Sequence, residues 1–216
     1  MATICLDPGH GGHDPGALRD GMAEKDVTLS IARAARDRLI PAHSVVLTRD
    51  TDVAVALAER RGIADAAGAD LFVSIHVNAS ARPAAAGFEV LVRSEAQPGS
   101  AALARAVANA LAARFPDRRN RGVRTALLAV LRQERPSCLV ECFFLSNEDE
   151  RRLLARPATR VALGEAIGDG CVEFLRAPVP PAPVPSVRRP VPAGAGRERT
   201  GRRTAPSPRP PGSRPA

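Results

Sequence analysis

Tryptophan and tyrosine are absent from this chain, and phenylalanine occurs only six times in 216 residues. Its core must therefore be built from Ala, Val, Leu and Ile. The scarcity of rings counts against carbohydrate platforms and single-stranded nucleic-acid binding, which rely on stacking. No stretch approaches the ~20 apolar residues that span a bilayer. The opening MATICLDPGH enters a strand-like run at once, without the basic and apolar regions of a secretory signal. The expectation is cytoplasmic synthesis followed by release, or a start site placed downstream of a true leader. Cys5, Cys138, Cys142 and Cys171 show neither CxxC spacing nor a paired framework, and read as buried free thiols.

The charge is unevenly spread. Of the net +8, residues 177–216 carry +7, from eight Arg against one Glu, and residues 1–176 are nearly neutral. Twelve of those last 40 residues are Pro. Such a segment cannot bury enough apolar surface to fold, so 177–216 is expected to be a disordered Pro/Arg-rich tail. Residues 1–176 suffice for one domain. The tail arginines can meet a polyanion through salt-sensitive contacts, although a solvated tail is the plainer reading. Nucleic acid is not the expected partner.

Strand-like runs at 3–7, 44–48, 70–78, 87–92 and 137–142 alternate with helical patterns at 26–39, 53–67, 100–115, from near Asn147, and 158–176. One or two short strands are expected within 122–131, and residues 8–23 read as a long loop. Loops of that length are usually functional. The order predicts an α/β domain with a largely parallel sheet between helices.

Only four histidines occur. His10 follows the first strand in LDPGHGGHDPGA, where α/β sites are commonly built. His76 lies in FVSIHVNAS, and alternation places Ser74, His76 and Asn78 together on one strand face. Such a run of polar groups needs hydrogen-bond partners or a ligand; the alternative for His76 is a satisfied core histidine. Glu24 stands before the first helix, where an acidic residue is favourable through the macrodipole alone, or serves as a ligand. Glu141 interrupts the apolar strand SCLVECFFL, where a carboxylate is costly unless paired. Alternation sets it opposite Cys138, Val140 and Cys142, which removes Cys142 as a ligand. His13 reads as an exposed loop residue that could compete as a ligand, and His43 as a surface turn residue.

Two histidines, a carboxylate and a strand-end glutamate match a catalytic zinc site of three protein ligands with the fourth position open. Glu141 would take a proton from water and pass it to a leaving amine. No HExxH-type local motif is present.

LDPGHGGHDPGA (6–17), EKDVTL (24–29), VVLTRDTD (45–52), LFVSIHVNAS (71–80) and VECFFLSNEDE (140–150) together resemble the zinc-dependent type-3 family of N-acetylmuramoyl-L-alanine amidases. The resemblance covers about residues 3–175. It implies a mixed, mostly parallel sheet of about six strands flanked by helices. It also implies one Zn2+ per chain held by His10, Glu24 and His76, and catalysis by Glu141. Glu24 rests mainly on this resemblance. Asn78 and Arg132 are implied as substrate contacts. The implied substrate is peptidoglycan, cut between N-acetylmuramic acid and L-alanine at the cell wall, with a possible tail contact to an anionic wall polymer. A non-catalytic wall-binding or polyanion-binding protein is the alternative, and would be expected to lack Glu141 or a ligand. Two departures stand out: Cys142-Phe143 occupies positions where the family commonly has a small residue, often Gly, and His13 stands where Lys is frequent. The segment between His76 and Glu141 leaves little room for the inserted helix that plugs some relatives, so an open cleft is expected.

Overall fold

A computed structural model describes residues 1–177. The expected disordered tail from 178 onward lies outside the described residues. The elements are β1 (Thr3–Pro8), β2 (Leu18–Arg19), β3 (Met22–Ala23), α1 (Glu24–Leu39), β4 (Ser44–Leu47) and α2 (Leu57–Ala66). They continue with β5 (Leu71–Asn78), β6 (Phe88–Val92), α3 (Ser100–Arg114), β7 (Asn120–Thr125), a 3-10 turn at Ala129–Leu131, β8 (Ser137–Phe144), α4 (Glu148–Leu154) and α5 (Pro157–Arg176).

Six strands form one sheet in the order β4-β1-β5-β8-β6-β7. The first four run parallel, β6 lies antiparallel to β8, and β7 is parallel to β6. The mixed, mostly parallel sheet is thus present. Side-chain alternation divides it into two faces. Ile4, Leu6, Val73, Ile75, Val90, Cys138 and Val140 pack with Val27, Ile31, Leu103, Val107, Leu163 and Ile167 of α1, α3 and α5. On the other face Cys5, Phe72 and Leu139 meet Ala64 of α2 and Val130 and Leu131 of the 3-10 turn. All four thiols are free and buried.

The second face is only partly roofed. α2 has ten residues and the 3-10 turn three, so the carboxyl ends of β1, β5 and β8 stay open. The segment between β5 and β6, residues 79–87, carries no helix.

Several boundaries differ from expectation, and β8 runs on to Phe144 beyond the expected 142. α1 begins at Glu24 rather than after an Asp26 cap; Ala23 is its N-cap and supplies no side-chain bond. α2 begins at Leu57 rather than Val53, because residues 52–56 are held out as loop: Gly12 N–H donates to Asp52 Oδ1 at 2.8 Å and Arg60 Nε to Val55 O at 3.0 Å. β7 starts at Asn120 and stops at Thr125, and the remainder of the expected 122–131 strand region is a bend into the 3-10 turn. The β2–β3 hairpin inside the long loop was not foreseen.

Candidate metal centre

β1 ends at Pro8, and the chain then turns through left-handed conformations at His10 (φ 61°), Gly11 and Gly12. A side chain on Gly9 would overlap the His76 ring, so glycine is needed for the close approach of this loop to β5. The turn lays the His10 ring across the His76 ring, centroids 4.9 Å apart.

Between the two rings sits Glu24. Gly9 N–H bonds Ile75 O at 2.9 Å, so residues of that parity on β5 face β1. Beyond Pro8 there is no β1 to pair with, and Val77 N–H donates instead to Glu24 Oε1 at 2.9 Å. His76 Nδ1 lies 3.0 Å from the same oxygen. Glu24 Oε2 accepts Ala17 N–H at 2.9 Å and lies 3.2 Å from His10 Nε2. Ligand atoms of His10, Glu24 and His76 all fall within 4.8 Å of one another, close enough to hold a metal ion.

The electrostatics suit a cation. Burial works to raise the Glu24 pKa, but hydrogen bonds to His10 and His76 outweigh it and hold the carboxyl well below its ordinary range. The hydrogen bond to Glu24 lifts His10 to about 9, against the opposing effect of burial. His10 Nδ1 meets Asp14 Oδ2 at 2.8 Å, which leaves Nε2 facing Glu24. A carboxylate on the far nitrogen of an imidazole is the usual orienting partner of a metal-ligating histidine.

Glu141 is the cross-strand neighbour of His76 on one side and of Glu89 on the other. Its Oε2 is sealed from solvent without a hydrogen-bond partner, and burial pushes its pKa up to about 7. By contrast, Glu89 is fully matched: it accepts from Asn78 Nδ2 at 2.8 Å and Arg121 Nε at 3.0 Å, and Arg124 Nη1 lies at 3.5 Å. An orphaned carboxylate oxygen beside an anion-lined two-imidazole cluster is what a bound metal and its water would satisfy.

His10 and His76 open onto a cleft of about 710 Å³, walled by Val55, Leu57, Leu128, Val130 and Leu139. These wall residues are aliphatic, and Asp7, Asp14, Glu59 and Arg60 line the cleft beside them. His13 is on its rim, exposed and outside the donor cluster. Asn78 is engaged by Glu89, and Arg132 is exposed just after the 3-10 turn; neither lines the cleft. His43 lies elsewhere, half-buried against Ala2 N. Phe143 does not narrow the cleft: it is buried in the main core, edge-on to Phe115 at 5.2 Å. Sequence reading passed over Asp14, Glu89, Arg49 and Arg60. Asp14 is detectable as a carboxylate four residues after His10, and Arg49 stands within VVLTRDTD.

A three-layer α/β domain that brings two histidines and a carboxylate together at one end of its sheet, with a sealed glutamate beside them, defines a class of domain whose donor cluster could hold a metal ion. The chain belongs to the N-acetylmuramoyl-L-alanine amidase family, whose model matches residues 4–173. It is 36% identical over 179 residues to the endolysin of Bacillus phage SPP1, an alignment covering 80% of this chain and 65% of that protein. It is 37% identical over 177 residues to the N-acetylmuramoyl-L-alanine amidase LytC of Bacillus subtilis (strain 168), covering 81% of this chain and 36% of LytC. The chain thus spans less than two thirds of either relative. Among solved structures, the N-acetylmuramoyl-L-alanine amidase AmiC2 of Nostoc punctiforme superposes with a TM-score of 0.78 at 36% identity, over 82% of this chain and 98% of that one. No described helix is long and apolar enough to cross a membrane.

Proposed function

We propose that residues 1–176 form a zinc-dependent amidase that cleaves the bond between N-acetylmuramic acid and L-alanine in peptidoglycan, acting at the cell wall. The observation that carries this reading is the convergence of His10, Glu24 and His76 beside the orphaned Oε2 of Glu141. Family membership supports the choice of substrate. A donor set of two imidazoles and one carboxylate fits zinc with one position left open. A zinc ion held there would acidify water and polarise an amide carbonyl.

The chain's own groups do the rest. Asp14 fixes the His10 ring, and Val77 N–H and Ala17 N–H fix both oxygens of Glu24. Glu141, a buried carboxyl beside His76, takes a proton from the attacking water and delivers it to the departing L-alanine nitrogen. The aliphatic cleft wall receives apolar parts of the stem peptide and keeps bulk water from one side of the reacting bond. Asn78 and Arg132 enter this scheme only as outlying contacts of a long polymer.

Digestion of purified peptidoglycan tests the reading. New L-alanine amino termini without new reducing sugars are expected. Activity should vanish on chelation, return with zinc, and be lost in Glu141→Ala. Full activity in chelator, or new reducing ends, would overturn it. A chain ending at Ala177 should keep its activity on soluble muropeptides; loss of activity would show that the domain needs residues 178–216.

A further inference from the structure

Beneath the His10 turn lie two arginines that the scheme above does not use, Arg49 and Arg60, 3% and 4% exposed. Arg60 is paired with the buried Asp7, Nη1 to Oδ1 at 2.7 Å, and Asp7 is completed by Thr48 Oγ1 and Ser74 Oγ at 2.6 and 2.7 Å. Arg49 has no carboxylate within ion-pair distance among the described residues. A buried guanidinium held only by neutral oxygens is expensive, and its placement calls for a reason.

All three carbonyls leading into the turn accept from these two side chains. Pro8 O accepts from Arg49 Nε at 3.1 Å and Arg60 Nη1 at 2.8 Å. Gly9 O accepts from Arg49 Nη2 at 2.8 Å, and His10 O from Arg60 Nη2 at 2.8 Å. His10 needs such support, because a left-handed conformation is unfavourable for a residue with a Cβ. Arg49 reaches further: the same Nη2 donates to Lys25 O at 2.8 Å, and Nη1 to Thr51 O at 3.2 Å. Lys25 follows Glu24, so one guanidinium ties the His10 loop to the first turn of α1. Its stem also fills the space beside Gly11, where a side chain would collide with it.

We propose that Arg49 and Arg60 are positioning residues for the metal centre: Arg49 fixes His10 relative to Glu24, and Arg60 locks the His10 backbone in its left-handed turn. The inference rests on the reading of His10, Glu24 and His76 as metal ligands. Arginine suits the task because its planar fork spans several acceptors at once, which a lysine ammonium cannot do.

The test compares zinc affinity with fold stability. Zinc dissociation constants are measured on the full chain by competition with a chromophoric chelator, and thermal midpoints on the metal-free protein. Arg49→Met and Arg60→Met are expected to weaken zinc binding about 10- to 100-fold, the usual effect of losing a group that orients a metal ligand. Arg135→Met is the control. Arg135 Nη1 also caps backbone carbonyls, Ala64 O and Ala69 O at 2.8 and 2.9 Å, but at the far end of α2. It should lower the thermal midpoint and leave zinc affinity within about twofold. If a Met variant fails to fold, Arg49→Lys and Arg60→Lys carry the same expectation, and the cobalt-substituted proteins should show altered visible absorption. Wild-type zinc binding together with unchanged affinity in the variants, or an equal loss in Arg135→Met, overturns the inference alone. Failure of the wild type to bind zinc overturns the metal reading and the inference together.

Discussion

Glu141 carries a pH signature that a single substitution can remove. Burial lifts its carboxyl from an ordinary value of 4.5 to about 7. In the metal-free protein the folded state therefore keeps a proton that the unfolded chain releases from about pH 4.5 upward. Stability is lost as pH rises through that window and levels off above about pH 7. Glu141→Gln removes the titration. Measured by urea unfolding without metal, the variant should gain about 2–3 kcal/mol on the wild type between pH 5 and pH 8. A pH-independent difference would show that the carboxyl is not desolvated in the folded chain. At this scale much was legible: an acidic residue in SCLVECFFL and three polar groups on one face of FVSIHVNAS are visible by alternation. Glu24 was not legible from residue chemistry alone, because an acid at a helix start is favourable anyway. Arg49 and Arg60 were hidden for a related reason: arginines beside loop and helix patterns read as solvated until their carbonyl acceptors are in view.

Strand β8 shows what local pattern misses. Its register with β5 shifts between His76 and Asn78, so Glu141 faces His76 while Phe144 faces Asn78. The extra residue falls at Cys142-Phe143, and Phe143 takes φ 69°. The bulge follows Glu141, which regular alternation already sets opposite Val140 and Cys142, and it lets Phe143 and Leu145 enter the same core as Cys142. The small residue suggested for this position by family resemblance is explained by the left-handed backbone, and Phe143 trades that comfort for burial against Phe115. Phe143→Ala should cost about 3–5 kcal/mol. Phe143→Gly should cost no more than Phe143→Ala in chemical unfolding, although glycine elsewhere is worse than alanine by about 0.5–1 kcal/mol. A larger loss in the glycine variant would count against the bulge. Strand positions were legible because apolar alternation runs through them. The two-residue β2 and β3 are too short to carry a period, and the reversal of β6 and β7 is decided by how connections cross, which composition does not record.

At the scale of the molecule, the cluster and its neighbouring glutamate sit where β1, β5 and β8 lie side by side, yet His10, Glu24, His76 and Glu141 are scattered along the chain. Two short roofs over the second face leave the carboxyl ends of these strands open, and the third layer, α1, supplies Glu24. The architecture was foreseeable from the order of elements; the four residues by which α2 starts later than its sequence pattern suggested are loop, and Ala54, Val55 and Ala56 of it line the cleft. The parallel pairing of the three central strands also has a kinetic consequence. Such pairing joins distant segments and is made slowly, so the His10–Glu24–His76 cluster is complete only when nearly everything else is. Zinc that recognises this late arrangement stabilises the native state without helping the chain reach it. Stopped-flow measurements should find refolding rates unchanged by zinc and unfolding slowed in proportion to the affinity; faster refolding would mean that the site forms early. For this fold, the metal would govern the lifetime of the folded molecule and not the speed of its making.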